Sequence, residues 1–254
     1  MENVKISVIC VYNKRDVFTN ILKKSLAEQS IPYELIAVDN TKGKYKSAAS
    51  ALNYGALNAT GSILVFVHQD VSFDTPNTLY ELASTFYENS TTGDIGGVVG
   101  AAFDMRKQPH IVAGSKVNFL GEKVGEKGFS KEFEYAESID ELLVIMSINT
   151  FKLHQFDEIT CNGWHFYAIE QCLYARTKDN KVIVINADVT HLSRGYIDSK
   201  FYWMQYKIAR KYYWVDRIIG TCCDFTPKPL YGHLYVAIRA SLKEIFKRKK
   251  LNYK

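Results

Sequence analysis

The chain has 254 residues, which is enough for one large domain or two small ones with a substantial core. Its composition is that of a globular protein, and its net charge of +5 is too small to indicate a nucleic-acid partner by itself. The five cysteines are odd in number and lack C-x-x-C spacing, which favours reduced thiols over a disulfide framework or a zinc site. The amino terminus lacks a basic and apolar leader, so we expect a cytoplasmic protein without a signal peptide or a spanning helix.

The first hundred residues alternate between two kinds of apolar pattern. Continuous apolar, β-branched runs predict four strands, at residues 5–12, 33–40, 62–70 and 95–103. Apolar residues at helical spacing predict the helices between them, at residues 16–30, 47–60 and 76–90. Strands separated by helices of this length form βαβ units, and continuous apolar strands indicate a sheet covered on both faces. The predicted fold class is therefore α/β, with a mostly parallel central sheet flanked by helices.

The pattern is less regular in the second half of the chain. Gly and Lys are frequent after residue 104, so we expect irregular or hairpin structure up to about residue 160, interrupted by an apolar run at 140–151. Residues 164–180 have the spacing of a helix, and residues 181–188 have the pattern of a strand. The aromatic and basic tail from residue 196 predicts two further helices.

Polar and ionisable residues follow the predicted strands. They are Tyr12 and Asn13, Asp39 and Asn40, His68, Gln69 and Asp70, and His191. The carboxyl ends of parallel strands lie at one edge of a sheet, so we expect these side chains to converge. Together they suit a ligand with a flat base, hydroxyl groups and negative charge. Taken singly, each position also fits a simpler interpretation, as a turn residue or a buried histidine.

Several common nucleotide and hydrolase sites are excluded by their missing motifs. The first strand is followed by CVYNKRD, which has no glycine, so a dinucleotide site of the G-x-G-x-x-G type is absent. The chain contains neither G-x-x-x-x-G-K-[ST] nor G-x-S-x-G, which excludes a P-loop and a nucleophile elbow. A nucleotide bound without these loops needs its diphosphate neutralised, and a divalent cation held by carboxylate and imidazole does that.

Four segments, in this order, resemble those of the nucleotide-sugar glycosyltransferases of the GT-A fold, family 2-like group. They are ISVICVYNKRDVF, LIAVDN, SAASALNYGALNATGSILVFVHQDV and WHFYAIEQCLYARTKDNKVIVINADVTHLSRG. The resemblance covers roughly residues 4–195. It implies a GT-A domain over residues 1–195, with a nucleotide-binding half (1–103) and an acceptor-binding half (104–195), followed by a helical extension (196–254).

The resemblance also implies roles for individual residues. Those implied to bind the nucleotide are Val11, Tyr12, Asn13, Asp39, Asn53, His68 and Gln69. Asp70 and His191 are implied to bind Mn²⁺ or Mg²⁺, and Trp164 and His165 to contact the acceptor. The resemblance also implies a general base on the helix that follows, to take the proton of the acceptor hydroxyl, and Glu170 is the candidate catalytic residue because it is the carboxylate nearest to the implied position.

The implied reaction moves a sugar from a nucleoside diphosphate sugar, with UDP favoured, to a hydroxyl of a glycan, glycoprotein or lipid-linked acceptor. The metal stabilises the departing diphosphate, and the reaction inverts the anomeric carbon. No nucleic-acid partner is expected. The basic, aromatic tail either makes peripheral contact with an anionic membrane or packs on its own domain.

Two positions depart from the pattern of the family. His68 stands where the usual Asp-x-Asp begins, so one carboxylate is missing and weaker metal binding is expected. Ala168 stands where the helix usually carries the base, which leaves Glu170 as either base or structural residue, with Asp140 and Asp157 as the other candidates. The alternative function is therefore a non-catalytic nucleotide- or sugar-binding module on the same fold. A sugar-1-phosphate nucleotidyltransferase is disfavoured because its Gly-rich N-terminal loop is absent.

Overall fold

The computed structural model describes residues 4–104, 108–120, 122–123, 129–193 and 196–252. In chain order its strands are β1 (Ile6–Tyr12), β2 (Glu34–Asp39), β3 (Ile63–Val67), β4 (Val71–Phe73), β5 (Ile95–Gly97), β6 (Val99–Phe103), β7 (Pro109–Ala113), β8 (Asn118–Phe119), β9 (Glu122–Lys123), β10 (Phe133–Tyr135), β11 (Ser138–Ile139), β12 (Leu143–Ser147), β13 (Val182–Ile185), β14 (Val189–His191), β15 (Ile218–Gly220) and β16 (Cys223–Phe225). Its helices are α1 (Arg15–Phe18), α2 (Lys24–Ala27), α3 (Ala48–Leu57), α4 (Thr78–Asn89), α5 (Ile148–Leu153), α6 (Tyr167–Arg176), α7 (Ser199–Lys211) and α8 (Leu230–Asn252), and a π-helical segment, Thr19–Lys23, joins the first two.

The central sheet has seven strands in the spatial order β10-β13-β5-β12-β3-β1-β2. Strand β1 pairs in parallel with β2 and β3, and β13 pairs in parallel with β5. Strand β12 lies between β3 and β5 and runs antiparallel to both. The α/β prediction, with a central sheet flanked by helices, is confirmed.

Residues 95–103 do not form the single strand that was predicted. Strand β5 ends at Gly97, and β6 belongs to a separate three-stranded sheet with the order β11-β6-β7. A Cβ atom on Gly97 would lie 2.8 Å from the carbonyl oxygen of Leu143, so this close approach to β12 requires glycine. The apolar run continues through the break, and the hydrophobic pattern therefore gives no sign that the chain changes sheets.

Alternate residues of each central strand pack into two apolar layers. On β3, Leu64 and Phe66 belong to one buried cluster and Val65 to the other. Burying each such side chain contributes on the order of 2 kcal/mol. The small-residue face of α3 packs close to the sheet as predicted, because a Cβ on Gly55 would lie 2.5 Å from Cγ2 of Ile9.

The two predicted C-terminal helices are present as α7 and α8. The apolar residues Phe201, Met204 and Ile208 of α7 are part of the main buried cluster, so this helix is packed on the domain. Helix α8 packs against α7, and the short hairpin β15–β16 lies between them in sequence. None of the helices in the described ranges is long and apolar enough to cross a bilayer.

The helix predicted at residues 164–180 is shorter than expected. Helix α6 spans Tyr167–Arg176, and Phe166 before it has a φ of +69°, in the left-handed region that a helix excludes. Trp164 and His165 therefore lie in the loop that precedes α6. The sequence pattern predicted both residues at the start of the helix.

Candidate active site

A cavity of about 280 Å³, here called the strand-tip cavity, lies beyond the carboxyl ends of β1 and β3. These strands pair in parallel, so the turns that follow them meet at one edge of the sheet. The cavity is lined by Val11, Asn13, Ala48, Leu52, Phe66, Val67, His68, Gln69, Asp70, Trp164, Tyr167 and Ser193. The predicted convergence of the first and third strand ends is thus present in the structure.

Gln69 holds these two strand ends together. Its Oε1 accepts hydrogen bonds from the backbone N–H groups of Asn13 and Lys14, at 3.1 and 3.0 Å. Its Nε2 donates to Oδ1 of Asn13 at 2.8 Å. The amide therefore fixes the turn after β1 against the end of β3, and both residues still line the cavity.

Asp39, at the end of β2, is the centre of a second polar group. Its carboxylate accepts hydrogen bonds from the hydroxyl of Tyr12 at 2.9 Å, from Arg15 at 2.8 Å, and from the hydroxyl of Thr41 at 2.6 Å. The hydrogen bonds from Thr41, followed by those from Tyr12 and Arg15, hold the pKa of Asp39 well below its ordinary value. Neither Tyr12 nor Asp39 lines the strand-tip cavity, and the ring of Tyr12 stacks on Phe18.

His68, Asp70 and His191 form a cluster whose possible ligand atoms all lie within 4.8 Å of one another. His191 comes from β14, which pairs antiparallel with β4 and places His191 opposite Val71, next to Asp70. Nε2 of His191 is 3.4 Å from Oδ1 of Asp70. Burial alone would raise the pKa of Asp70, but contacts with His191 and Ser193 outweigh it and hold this pKa well below the ordinary value. Burial, followed by the neighbouring imidazole of His191, lowers the pKa of His68, so a neutral His68 lies beside the ionised carboxylate of Asp70.

Tyr167, the first residue of α6, joins this cluster to β12. Its hydroxyl donates to the carbonyl oxygen of Glu141 at 3.0 Å and lies 3.1 Å from Nε2 of His68. The side chain is buried, and it also forms part of the cavity wall. Sequence reasoning did not select Tyr167, although the residue stands within the quoted segment WHFYAIEQ.

A second cavity of about 390 Å³, here called the side cavity, shares His68 and Trp164 with the first. It is lined by His68, Val99, Ile111, Asp140, Glu141, Leu142, Trp164, His165, His191, Tyr196, Ile197, Phe201, Thr221 and Cys222. Trp164 is 39% exposed and stands between the two cavities, whereas His165 lines only the side cavity of the two. Both residues predicted to contact the acceptor thus lie together.

The side cavity contains a carboxylate, that of Glu141, with a buried oxygen and a raised pKa. Its Oε1 is buried without a hydrogen-bond partner among the described residues, and its Oε2 is 3.8 Å from Nδ1 of His165. Burial, followed by the charge of Asp140, raises the pKa of Glu141 well above its ordinary value. The neighbouring Asp140 accepts hydrogen bonds from the hydroxyl of Thr221 and the backbone N–H of Leu142. Sequence reasoning named Asp140 but missed Glu141, because an acidic pair before a strand is also typical of a turn.

The carboxylate of Glu170 lies in a buried polar cluster and lines neither cavity. It contacts Nζ of Lys211 at 2.5 Å, the hydroxyl of Tyr212 at 2.8 Å and Nε2 of His154 at 3.0 Å. Burial alone would raise its pKa, but His154 and Lys211 outweigh this effect and hold the pKa below the ordinary value. Asp157, the other candidate base, pairs with the same Lys211 at 2.9 Å.

Asn53 also lies outside the walls of both cavities. Its amide accepts a hydrogen bond from the backbone N–H of Phe156 at 3.0 Å and donates to the carbonyl oxygen of Phe156 at 2.9 Å. A further bond at 2.9 Å reaches the carboxylate of Glu158. Asn53 therefore anchors the loop after α5 to α3, instead of facing the strand-tip cavity as the resemblance implied.

Solved structures with the same fold are found at low sequence identity. GalNAc-T7, solved with UDP, GalNAc and Mn²⁺, superposes with a TM-score of 0.58 at 12% identity, over 76% of this chain and 45% of its own. Residues 1–349 of S. aureus TarS, solved in complex with UDP-GlcNAc, superpose with a TM-score of 0.56 at 19% identity, over 82% of this chain and 66% of its own. The chain thus spans less than half of GalNAc-T7 and about two thirds of the TarS fragment.

A curated sequence is also similar to this chain. The protein described as "ATP synthase subunits region ORF 6" of Fuscovulum blasticum is 22% identical over 181 residues, which are 70% of this chain and 71% of that protein. The model of the family described as "Glycosyltransferase like family" matches residues 7–212, which include the central sheet, the strand-tip cavity and α7. With this match and the shared architecture, the chain belongs to the glycosyltransferase-like family and has the GT-A fold of the family 2-like group.

Proposed function

We propose that this protein transfers a sugar from a nucleoside diphosphate sugar, with UDP favoured, to a hydroxyl of a glycan, glycoprotein or lipid-linked acceptor, with inversion. The cluster of His68, Asp70 and His191 carries this proposal, because it stands where the two cavities meet. Asp70 lines the strand-tip cavity, His191 lines the side cavity, and His68 lines both. A donor in the first cavity and an acceptor in the second would meet at these side chains.

The three side chains fit a divalent cation of the type bound in the GalNAc-T7 structure. They offer one carboxylate and two imidazoles, and a set that includes imidazole favours Mn²⁺ over Mg²⁺, which prefers oxygen ligands. Asp70 is ionised and His68 is neutral, which are the states needed for ligation. When bound, the cation supplies charge that stabilises the departing nucleoside diphosphate.

The strand-tip cavity suits the donor nucleotide. Asn13 and Gln69 present amides at its edge, and Leu52 on α3 provides an apolar wall for a flat base. Tyr12 and Asp39 are paired across β1 and β2 beside this turn, and the carboxylate of Asp39 binds the side chain of Arg15 that follows it. The proposal keeps nucleotide contacts for Val11, Asn13, His68 and Gln69, which line the cavity, and gives Tyr12 and Asp39 a supporting role at its margin.

Glu141 is the carboxylate that we assign as general base. It lines the side cavity, its Oε1 has no hydrogen-bond partner among the described residues, and its raised pKa makes it a stronger proton acceptor than an ordinary carboxylate. Asp140 is less suitable because both of its oxygens already accept hydrogen bonds. In the reaction Glu141 would take the proton of the acceptor hydroxyl as that oxygen attacks the anomeric carbon.

Glu170, the carboxylate selected from the sequence as the candidate base, has a structural role in this proposal. Its carboxylate is fully buried and satisfied by His154, Lys211 and Tyr212, so it cannot reach an acceptor without breaking those contacts. The salt bridge to Lys211 instead ties α6 to the end of α7. Asn53 likewise supports the loop between α5 and α6.

Turnover of donors is the direct test. The purified chain is incubated with a panel of nucleoside diphosphate sugars and Mn²⁺, and release of the nucleoside diphosphate is measured with and without EDTA. We expect release from at least one donor and its loss in EDTA. Binding of UDP and Mn²⁺ by calorimetry without turnover of any donor or acceptor would favour the non-catalytic binding module.

A further inference from the structure

Helix α8 uses one face to attach to the domain. Ala237 on this face is fully buried, and the indole N–H of Trp203 on α7 donates to Oγ of Ser241 at 3.0 Å. The carboxylate of Glu244 accepts hydrogen bonds from the backbone N–H and the hydroxyl of Ser199, at 2.7 and 3.0 Å. Because these contacts fix α8 on α7, the exposure of its other faces is a feature of the folded helix.

A second face of α8, centred about 110° round the helix from the attached one, carries five large apolar side chains, here called the outer stripe. They are Tyr231, Tyr235, Ile238, Leu242 and Ile245, each between 44% and 76% exposed. Their spacing of four and three residues places them within about 80° of one another around the helix, along about 21 Å of its length. Scattered exposed apolar residues are ordinary, but a continuous stripe of this length indicates a surface that binds something.

Three cations flank the outer stripe and are here called the basic row. Arg239, Lys243 and Lys247 follow one another at intervals of four residues, and all three are exposed. None of them pairs with a carboxylate in the described part of the chain. The single acidic residue of α8, Glu244, is bonded to Ser199 of α7 and does not pair with the basic row.

We propose that the outer stripe and the basic row form a docking surface for an anionic lipid bilayer, on which α8 lies in the plane of the interface. Apolar side chains beside unpaired cations are what such a surface requires, and Tyr231 and Tyr235 suit the polar–apolar boundary. A second copy of the chain is the competing occupant. It would place basic rows near each other without carboxylates to pair with them, and that repulsion opposes self-association.

The placement of α8 relates this surface to the rest of the molecule. Phe201 of α7 lines the side cavity, and α7 is the helix on which α8 packs. A bilayer bound to α8 would therefore lie against the same helical unit that forms part of that cavity. The docking surface does not depend on sugar transfer, and its test uses no donor.

Vesicle flotation tests the docking surface with the full chain. Vesicles of phosphatidylcholine alone are compared with vesicles that also contain phosphatidylglycerol, at low and high salt. Two triple variants remove the two halves of the surface: I238S/L242S/I245S and R239Q/K243Q/K247Q. Matched controls at exposed positions elsewhere are Y80S/Y87S for the apolar change and K23Q/K24Q/K178Q for the charge change.

We expect the wild-type chain to float with anionic vesicles and to dissociate at high salt. Each triple variant should weaken this partitioning on the order of 100-fold, since the contributions of three cations, or of three apolar side chains, to membrane binding add together. The controls should bind as the wild type does, and circular dichroism should show all variants folded. Equal loss in the controls would overturn the proposal, as would absence of flotation. Stripe-dependent dimers in sedimentation equilibrium without vesicle binding would overturn it in favour of a second copy.

Discussion

The strand-tip cavity and the side cavity share His68 and Trp164, yet they are constructed differently. The polar wall of the first comes mainly from the turns after β1 and β3, whose meeting is a consequence of parallel pairing. The second is assembled from β6 and β7, the segment before β12, the loop before α6, helix α7 and the turn of the hairpin β15–β16. The shape of the first cavity therefore follows from sheet topology. The shape of the second depends on contacts between distant segments, so its lining can change while the sheet stays the same.

Replacing Asp70 tests the strand-tip side of this comparison and should have the largest effect. Asp70→Asn removes the only carboxylate of the cluster while keeping its size, so we expect donor turnover to fall about 1,000-fold. Calorimetry should show Mn²⁺-dependent UDP binding weakened in parallel. Asp216→Asn, at an exposed position, is the matched control. Full activity in Asp70→Asn would remove the cluster from the reaction.

Replacing Glu141 tests the side cavity and should have the next largest effect. Glu141→Gln removes a proton acceptor without removing volume, so we expect kcat to fall about 100-fold while UDP affinity is unchanged. A base works in its ionised form, so wild-type kcat should rise with pH through the raised pKa of Glu141 and then level off. The variant should lose this rise. Glu132→Gln at an exposed site is the control, and a wild-type pH profile in Glu141→Gln would transfer the role of base elsewhere.

Replacing Glu170 should affect stability more than catalysis. Glu170→Gln leaves Lys211 with only Asp157 as its carboxylate partner, and we expect the free energy of unfolding to fall by about 2 kcal/mol. Because folding lowers the pKa of Glu170 below its ordinary value of 4.5, this stabilisation is present above that pH and is lost as the pH falls. Denaturant unfolding of both proteins at neutral and acidic pH measures the difference. Strong loss of kcat with unchanged stability would instead support Glu170 as the general base.

Removing the hydroxyl of Tyr12 should have the smallest effect. In Tyr12→Phe, Asp39 keeps its contacts with Arg15 and Thr41, and the ring still stacks on Phe18. We expect a loss of about 1 kcal/mol in stability and less than a threefold change in UDP affinity by calorimetry. A tenfold or larger loss of affinity would show that Tyr12 touches the nucleotide.

The sequence predicted structure correctly where a local pattern of residues determines one strand or helix. The apolar runs of β1 and β3 predicted both the strands and the meeting of their polar ends, including Asp70. The fate of residues 95–103 was not predictable, because the packing of Gly97 against Leu143 is invisible in the pattern. The structural role of Glu170 was not predictable either, because its partners His154, Lys211 and Tyr212 lie far from it in sequence. Long-range packing, and not helical spacing, decides which carboxylates reach a cavity.

The hydroxyl of Tyr167 determines which ring nitrogen of His68 is available to a cation. The hydroxyl group of Tyr167 has one hydrogen, which it donates to the carbonyl oxygen of Glu141. In the hydrogen bond between Tyr167 and His68, Nε2 of His68 must therefore be the donor. Since the lowered pKa of His68 keeps the ring neutral, its lone pair lies on Nδ1. The carbonyl group of Glu141 thus selects the tautomer of His68 through Tyr167. In this tautomer Nδ1 is the ring nitrogen of His68 that can bind a cation.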